Sequence, residues 1–116
     1  MAEKRRTIYL AGKITGDPNY LDKFADAKWV LEAYNKDAVV LSSAILPREG
    51  FSYEAYIRMS RAMLDECVWV YFLPDWVDSD GAQAEYGRAV AKGKQVCLFT
   101  DIEESVRGPE AGEAGG

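Results

Sequence analysis

Apolar residues in this chain fall into four short runs, and between them the apolar spacing lengthens to every third or fourth position. Thr7 to Ala11 is a run of β-branched and aromatic residues stopped by Gly12, and it predicts a first strand. From Asn19 to Asn35, the residues Tyr20, Phe24, Ala27, Leu31 and Tyr34 recur at spacings of four, three, four and three, while Asp22, Lys23, Asp26 and Glu32 take other faces. That is the stripe of an amphipathic helix, introduced by Asp17-Pro18. Ala38 to Leu41 predicts a second strand, followed by a loop through Pro47 and Gly50. Ser52 is the candidate N-cap of a second helix whose apolar side holds Tyr53, Tyr56, Ile57, Met63 and Leu64.

Cys67 to Leu73 is continuously apolar, the signature of a strand buried on both faces of a parallel sheet. A polar loop over 74–81 leads to a helix from Ala82 to Lys92 ended by Gly93, and Gln95 to Phe99 forms the last strand. Strands alternating with helices imply right-handed crossovers and an α/β fold with its parallel sheet covered on both sides. A chain of 116 residues makes one such domain, over residues 1–100. The acidic, Gly-rich segment 101–116 has too little apolar surface to pack and is expected to be disordered.

Composition removes several chemistries. Histidine is absent, which excludes a Ser-His-Asp triad, a Cys-His pair and His-containing zinc motifs. Cys67 and Cys97 stand thirty positions apart without a CxxC, so they read as strand thiols in a reducing compartment, with no metal site expected. Net charge is −5, but five acids in 101–116 face only Arg107, which leaves the body nearly neutral. A body without a basic surface is not built to bind nucleic acid, and Lys4, Arg5 and Arg6 read as a solvated lead-in. No apolar run is long enough to span a bilayer and no apolar segment follows the N-terminus, so a cytoplasmic protein without membrane association is expected.

In an open parallel sheet, ligands bind beyond the carboxyl ends of the strands, where strand order reverses. Two segments qualify. Gly12, Lys13, Ile14, Thr15 and Gly16 form a turn whose backbone amides can approach an anion, with Lys13 and Thr15 as further donors. The segment Ser79-Asp80-Gly81-Ala82-Gln83-Ala84-Glu85-Tyr86-Gly87 sets Glu85 in the first turns of a helix otherwise walled by Ala82, Ala84, Ala89 and Val90. The positive helix end favours its ionised form. An ionised glutamate aimed into a cleft suits attack on, or stabilisation of, a sugar cation.

Tyr9 to Gly16, Tyr71 to Trp76 and Ser79 to Ala89 together resemble the nucleoside 2-deoxyribosyltransferase superfamily, in particular its small bacterial and phage members. The likeness runs from about Thr7 to Thr100. It implies a flavodoxin-like, Rossmann-like three-layer sandwich with a four- to five-stranded parallel sheet, and cleavage of the N-glycosidic bond of deoxynucleosides or their 5'-monophosphates. It also implies that Glu85 is the nucleophile, oriented by Tyr9, and that Gly12 to Gly16 hold a 5'-phosphate. Ser79, six residues before Glu85, matches the serine of the 2'-deoxynucleoside 5'-phosphate N-hydrolases and points to a nucleotide. A homodimer or higher homo-oligomer is implied, with Ser105 and Arg107 as candidate donors to a neighbour's site. No cofactor is required. The alternative reading is a nucleotide-binding or sequestering protein of the same fold without catalysis.

One position departs from the family pattern. Ser60 stands where an aspartate often helps protonate the leaving base, and Asp75, Asp78 or Asp80 are the candidate substitutes. Asp75, Gly81 and Trp76 join the candidate binding residues, Trp76 as a stacking surface for a base or as a lid or dimer contact. Trp29, Trp69, Tyr53 and Tyr56 are expected in the core. Arg88 is expected to pair with Glu85 or Asp80.

Overall fold

The computed structural model describes residues 6–99. The tail 101–116, with Ser105 and Arg107, and the lead-in residues Lys4 and Arg5 lie outside the described residues. Four strands, β1 (Arg6–Ala11), β2 (Ala38–Ser42), β3 (Trp69–Phe72) and β4 (Gln95–Leu98), pair in parallel in the order β2-β1-β3-β4. Three helices connect them: α1 (Tyr20–Tyr34), α2 (Tyr53–Glu66) and α3 (Asp80–Ala91). This is the flavodoxin-like α/β fold, with its switch point between β1 and β3.

Alternation along β1 builds the three layers. Ile8 and Leu10 point to one face, where they pack with Tyr20, Phe24, Ala27 and Leu31 of α1. Tyr9 and Ala11 point to the other, where they meet Leu64 of α2 and Ala89 of α3. All four are at most 2% exposed, so β1 is the buried spine of the sheet.

The third strand is shorter than the apolar run suggests. Cys67 caps α2, its N–H donating to the Leu64 carbonyl at 3.0 Å, and exposed Val68 donates to Thr7 Oγ1 at 3.1 Å. At the other end, Leu73 N–H still donates to the Ala11 carbonyl at 2.8 Å, which carries the β1–β3 contact past the strand. Gly12 makes that approach feasible. A Cβ at Gly12 would stand 2.7 Å from Leu73 Cδ1 and 3.0 Å from its Cβ.

Ser52 caps α2 as expected, its Oγ accepting from Ala55 N–H at 3.1 Å. Gly93, at φ +72°, ends α3 in the left-handed conformation, and Lys94 N–H reaches back to the Ala89 carbonyl at 2.9 Å. Several expected core residues are not in the core. Trp29 is 70% exposed because, two positions beyond Ala27, it stands about 200° round α1 from the buried stripe. Tyr34 is exposed at the end of the same helix, and Val90 and Ala84 on α3 face solvent. Burial along α2 rises from exposed Tyr53 through half-buried Tyr56 and Ile57 to buried Ser60 and Leu64. Trp69 is half-buried, with the Arg6 guanidinium 4.3 Å above its ring. Among the described residues, no helix is long and apolar enough to cross a membrane.

Candidate active site

Tyr9 and Glu85 meet across the layer between the sheet and α3. The Tyr9 hydroxyl donates to Glu85 Oε2 at 2.7 Å, joining positions 76 residues apart. Tyr9 is fully buried in the spine strand, so its phenol meets Glu85 away from bulk water. Glu85 falls in the second turn of α3, because the helix begins at Asp80. A helix dipole acts mainly within its first turn, so the expected stabilisation of the carboxylate is weak here. Burial prevails and raises the Glu85 carboxyl from 4.5 to about 7, while the Tyr9 hydrogen bond pulls in the opposite direction. The Tyr9 phenol is itself held well above its usual value, by burial first and then by Glu85, and it keeps its proton for the carboxyl. Ser43, from the 3-10 turn Ser43–Ile45, and buried Ser60 on α2 bring hydroxyls towards the phenol that moderate that rise.

An aromatic wall stands beside this pair. Trp76 stacks on Tyr86 with ring centres 4.7 Å apart and planes 13° from parallel, and both touch Phe72 at 5.4–5.5 Å. One face of Trp76 is therefore taken by Tyr86, the residue next to the glutamate.

The loop after β1 is organised around a cation that spacing alone places on the outer face of α1. Lys23 Nζ donates to the Lys13 carbonyl at 2.7 Å and to Asp17 Oδ2 and Asp75 Oδ2 at 2.5 Å each. Lys13 N–H donates to the other Asp75 oxygen, Oδ1, at 3.0 Å. The Asp75 carboxylate thus lies against the turn where an anion was expected, and Lys23 bridges it to α1. Asp17 is held below the ordinary carboxylate range, foremost by its bond from Lys23. Ile14 packs against the α1-side core, and its carbonyl accepts from Asp17 N–H at 3.0 Å in a turn that needs Gly16 at φ +83°. Thr15 is exposed.

Ser79 serves as N-cap of α3, its Oγ accepting from Ala82 N–H at 3.1 Å, and Gly81 follows in the first turn. Arg88 pairs with neither Glu85 nor Asp80. It makes a two-pronged bond to Asp65 of α2, with Nε and Nη2 at 2.8 and 2.6 Å, because its place one turn further along α3 turns it towards α2. Among the described residues, no cluster of His, Cys, Asp and Glu is placed to hold a metal ion.

A family model described as a domain of unknown function, DUF4406, matches residues 6–98, which takes in every strand and helix described above. The chain belongs to the DUF4406 family. No curated protein sequence matches it. In this DUF4406 domain the matched span holds Tyr9, Ser60, Asp75 and Glu85 together, so the whole constellation lies inside the family unit. A separate cleft of about 490 Å³ opens on the α1 side, between Lys23, Ala27, Val30, Leu73, Asp75 and Phe99. It lies across the sheet from Tyr9 and Glu85 and does not enclose them. The carboxyl–phenol pair offers chemistry, whereas the cleft is bounded mostly by packing residues.

Sequence reasoning missed Lys23, Ser43 and the Arg88–Asp65 pair. Lys23 occupies an ordinary helix-surface position, and only the fold of two distant loops around it gives it a role.

Proposed function

We propose that the protein cleaves or transfers the N-glycosidic bond of nucleosides or deoxynucleosides bearing a 5'-monophosphate, through Glu85 as the nucleophile. The observation that carries this reading is the bond between Tyr9 and Glu85 inside a partly desolvated layer. A carboxylate in such a place attacks an electron-poor carbon well, because little water competes for its lone pairs. Tyr9 fixes which oxygen is free: with Oε2 bonded to the phenol, Oε1 is the oxygen left to attack the anomeric carbon. The glycosyl ester is then resolved by water or by a second base. The resemblance to nucleoside 2-deoxyribosyltransferases supports the same assignment, with the Gly12–Gly16 turn and Ser79 on the phosphate side. A 5'-phosphate entering the turn replaces the Asp75 carboxylate at Lys13 N–H and gains Lys13 as counter-charge.

The test is free-base release, followed by chromatography, from deoxynucleoside and ribonucleoside 5'-monophosphates and the parent nucleosides, with Glu85→Gln alongside. Release that is lost in Glu85→Gln supports the reading. A second reading, binding without turnover, is favoured by Ser60, since a hydroxyl is a poor acid for a departing base. It predicts that a nucleotide raises Tm while no base is released.

A further inference from the structure

Cleaving a neutral nucleoside needs two groups at once, a nucleophile for the sugar and an acid for the base. The described structure places one of them. The Glu85 carboxyl takes its hydrogen bond from the Tyr9 hydroxyl and enters none of the ion pairs among the described residues. Each of the nearby acids is engaged elsewhere or faces water. Asp75 is bound by Lys13 N–H and Lys23, and Asp65 by Arg88. Asp78 and Asp80 are exposed, and α2 presents the Ser60 hydroxyl. The Tyr9 hydroxyl is already committed as a hydrogen-bond donor to Glu85. Glu85 cannot be acid and nucleophile in the same step.

We propose that the substrates of this site are N-glycosides whose base carries a formal positive charge, of the pyridinium or N-alkylpurinium kind, so that the base departs neutral without a proton. The inference rests on the glycosidase reading above. Two further features fit a cationic ring. The half-buried Glu85 has no ionic partner among the described residues, so an approaching cation both pairs with it and draws it into the ionised, attacking form. The Trp76–Tyr86 stack packs on the same layer as Tyr9, and an aromatic surface attracts a cationic ring. The step balances without an acid. The electron pair of the C1'–N bond returns to the ring nitrogen and discharges it, while a Glu85 oxygen bonds to C1'. Water then takes C1', Glu85 leaves as carboxylate, and the water's extra proton goes to solvent.

The experiment compares matched pairs on the full chain at pH 7.5. 7-Methylguanosine 5'-monophosphate is set against guanosine 5'-monophosphate, and nicotinamide mononucleotide against its uncharged dihydro form. Each rate is divided by the spontaneous rate of the same compound, because the charged compounds are also more labile in water. The expected result is an acceleration greater by about 100-fold or more for the cation of at least one pair, lost in Glu85→Gln. The pair that responds distinguishes a pyridinium from a purinium substrate. Binding gives a readout independent of turnover: the native chain prefers the cation by about tenfold or more, and Glu85→Gln erases the preference. Equal or greater acceleration of the neutral partners, lost in Glu85→Gln, overturns this inference and leaves the glycosidase reading standing. No acceleration of any of the four overturns this inference, and base release from the deoxynucleotide panel above decides the glycosidase reading separately.

Discussion

The hydroxyl of Tyr9 and the carboxyl of Glu85, one on the central strand and one on the last helix, form a 2.7 Å hydrogen bond in which the phenol is the donor. The direction matters because the bond supports the ionised glutamate against the burial that opposes it.

Removing the carboxyl is the first consequence to check. Glu85→Gln keeps the shape and an acceptor oxygen for Tyr9, so the fold survives while base release falls to the spontaneous rate. Chromatography of free base, beside a thermal melt of the same sample, separates lost chemistry from lost structure.

Stability responds to pH through the same group. Below about pH 4, Glu85 is protonated in both folded and unfolded chains and costs nothing. As pH rises the unfolded chain ionises first, from 4.5, while the folded carboxyl waits until about 7. Folded stability therefore declines across that window by about 3 kcal/mol and levels off above it. Denaturant melts at pH 4, 5.5, 7 and 8.5 should show this decline in the native chain and its absence in Glu85→Gln.

Tyr9→Phe removes the donor and leaves the packing. The carboxyl then rises further, so the pH at which the rate reaches half its plateau moves upward. The buried bond is worth about 1–2 kcal/mol, read as a lower denaturation midpoint at pH 8. A pH–rate profile that stays in place would assign Tyr9 a packing role alone.

Lys23→Met frees Asp17 and Asp75 from their common cation. Because Asp17 is held below its ordinary value by Lys23, the clamp stabilises the fold at neutral pH and is lost as pH falls through the lowered value. The variant should lose most stability at pH 7 and progressively less as pH falls below 3.8, with faster amide exchange at Lys13.

Gly12→Ala sets a methyl against Leu73 where the ends of β1 and β3 converge. Overpacking of this kind costs about 1–3 kcal/mol, and the midpoint of a urea melt reports it.

Local pattern made most of the fold legible. A short apolar run stopped by Gly12 identified β1, the four-three spacing identified α1, and Ser52 and Gly93 marked helix ends because their chemistry is local. Burial was less legible, since Trp29 and Tyr53 are apolar yet lie off or ahead of the stripes that meet the sheet. At the candidate site, Glu85 and Tyr9 were readable as residues, but the protonation of Glu85 was not. It depends on how deeply a second-turn side chain sinks between layers. Lys23 and Asp65 were hidden for a related reason, because their partners come from other parts of the chain.

β1 and β3 lie side by side, with Tyr9 opposite Val70, yet α1, β2 and α2 all intervene between them in the chain. Joining such strands closes a loop of about sixty residues, and that entropy is spent before any contact returns it. Glu85 follows later still, on the helix beyond β3. The Tyr9–Glu85 pair is thus assembled only when distant parts of the chain have been gathered, and a half-folded molecule has the residues but not the bond between them. Under the proposed function, reactivity belongs to the finished fold alone and is switched on by the last stages of folding.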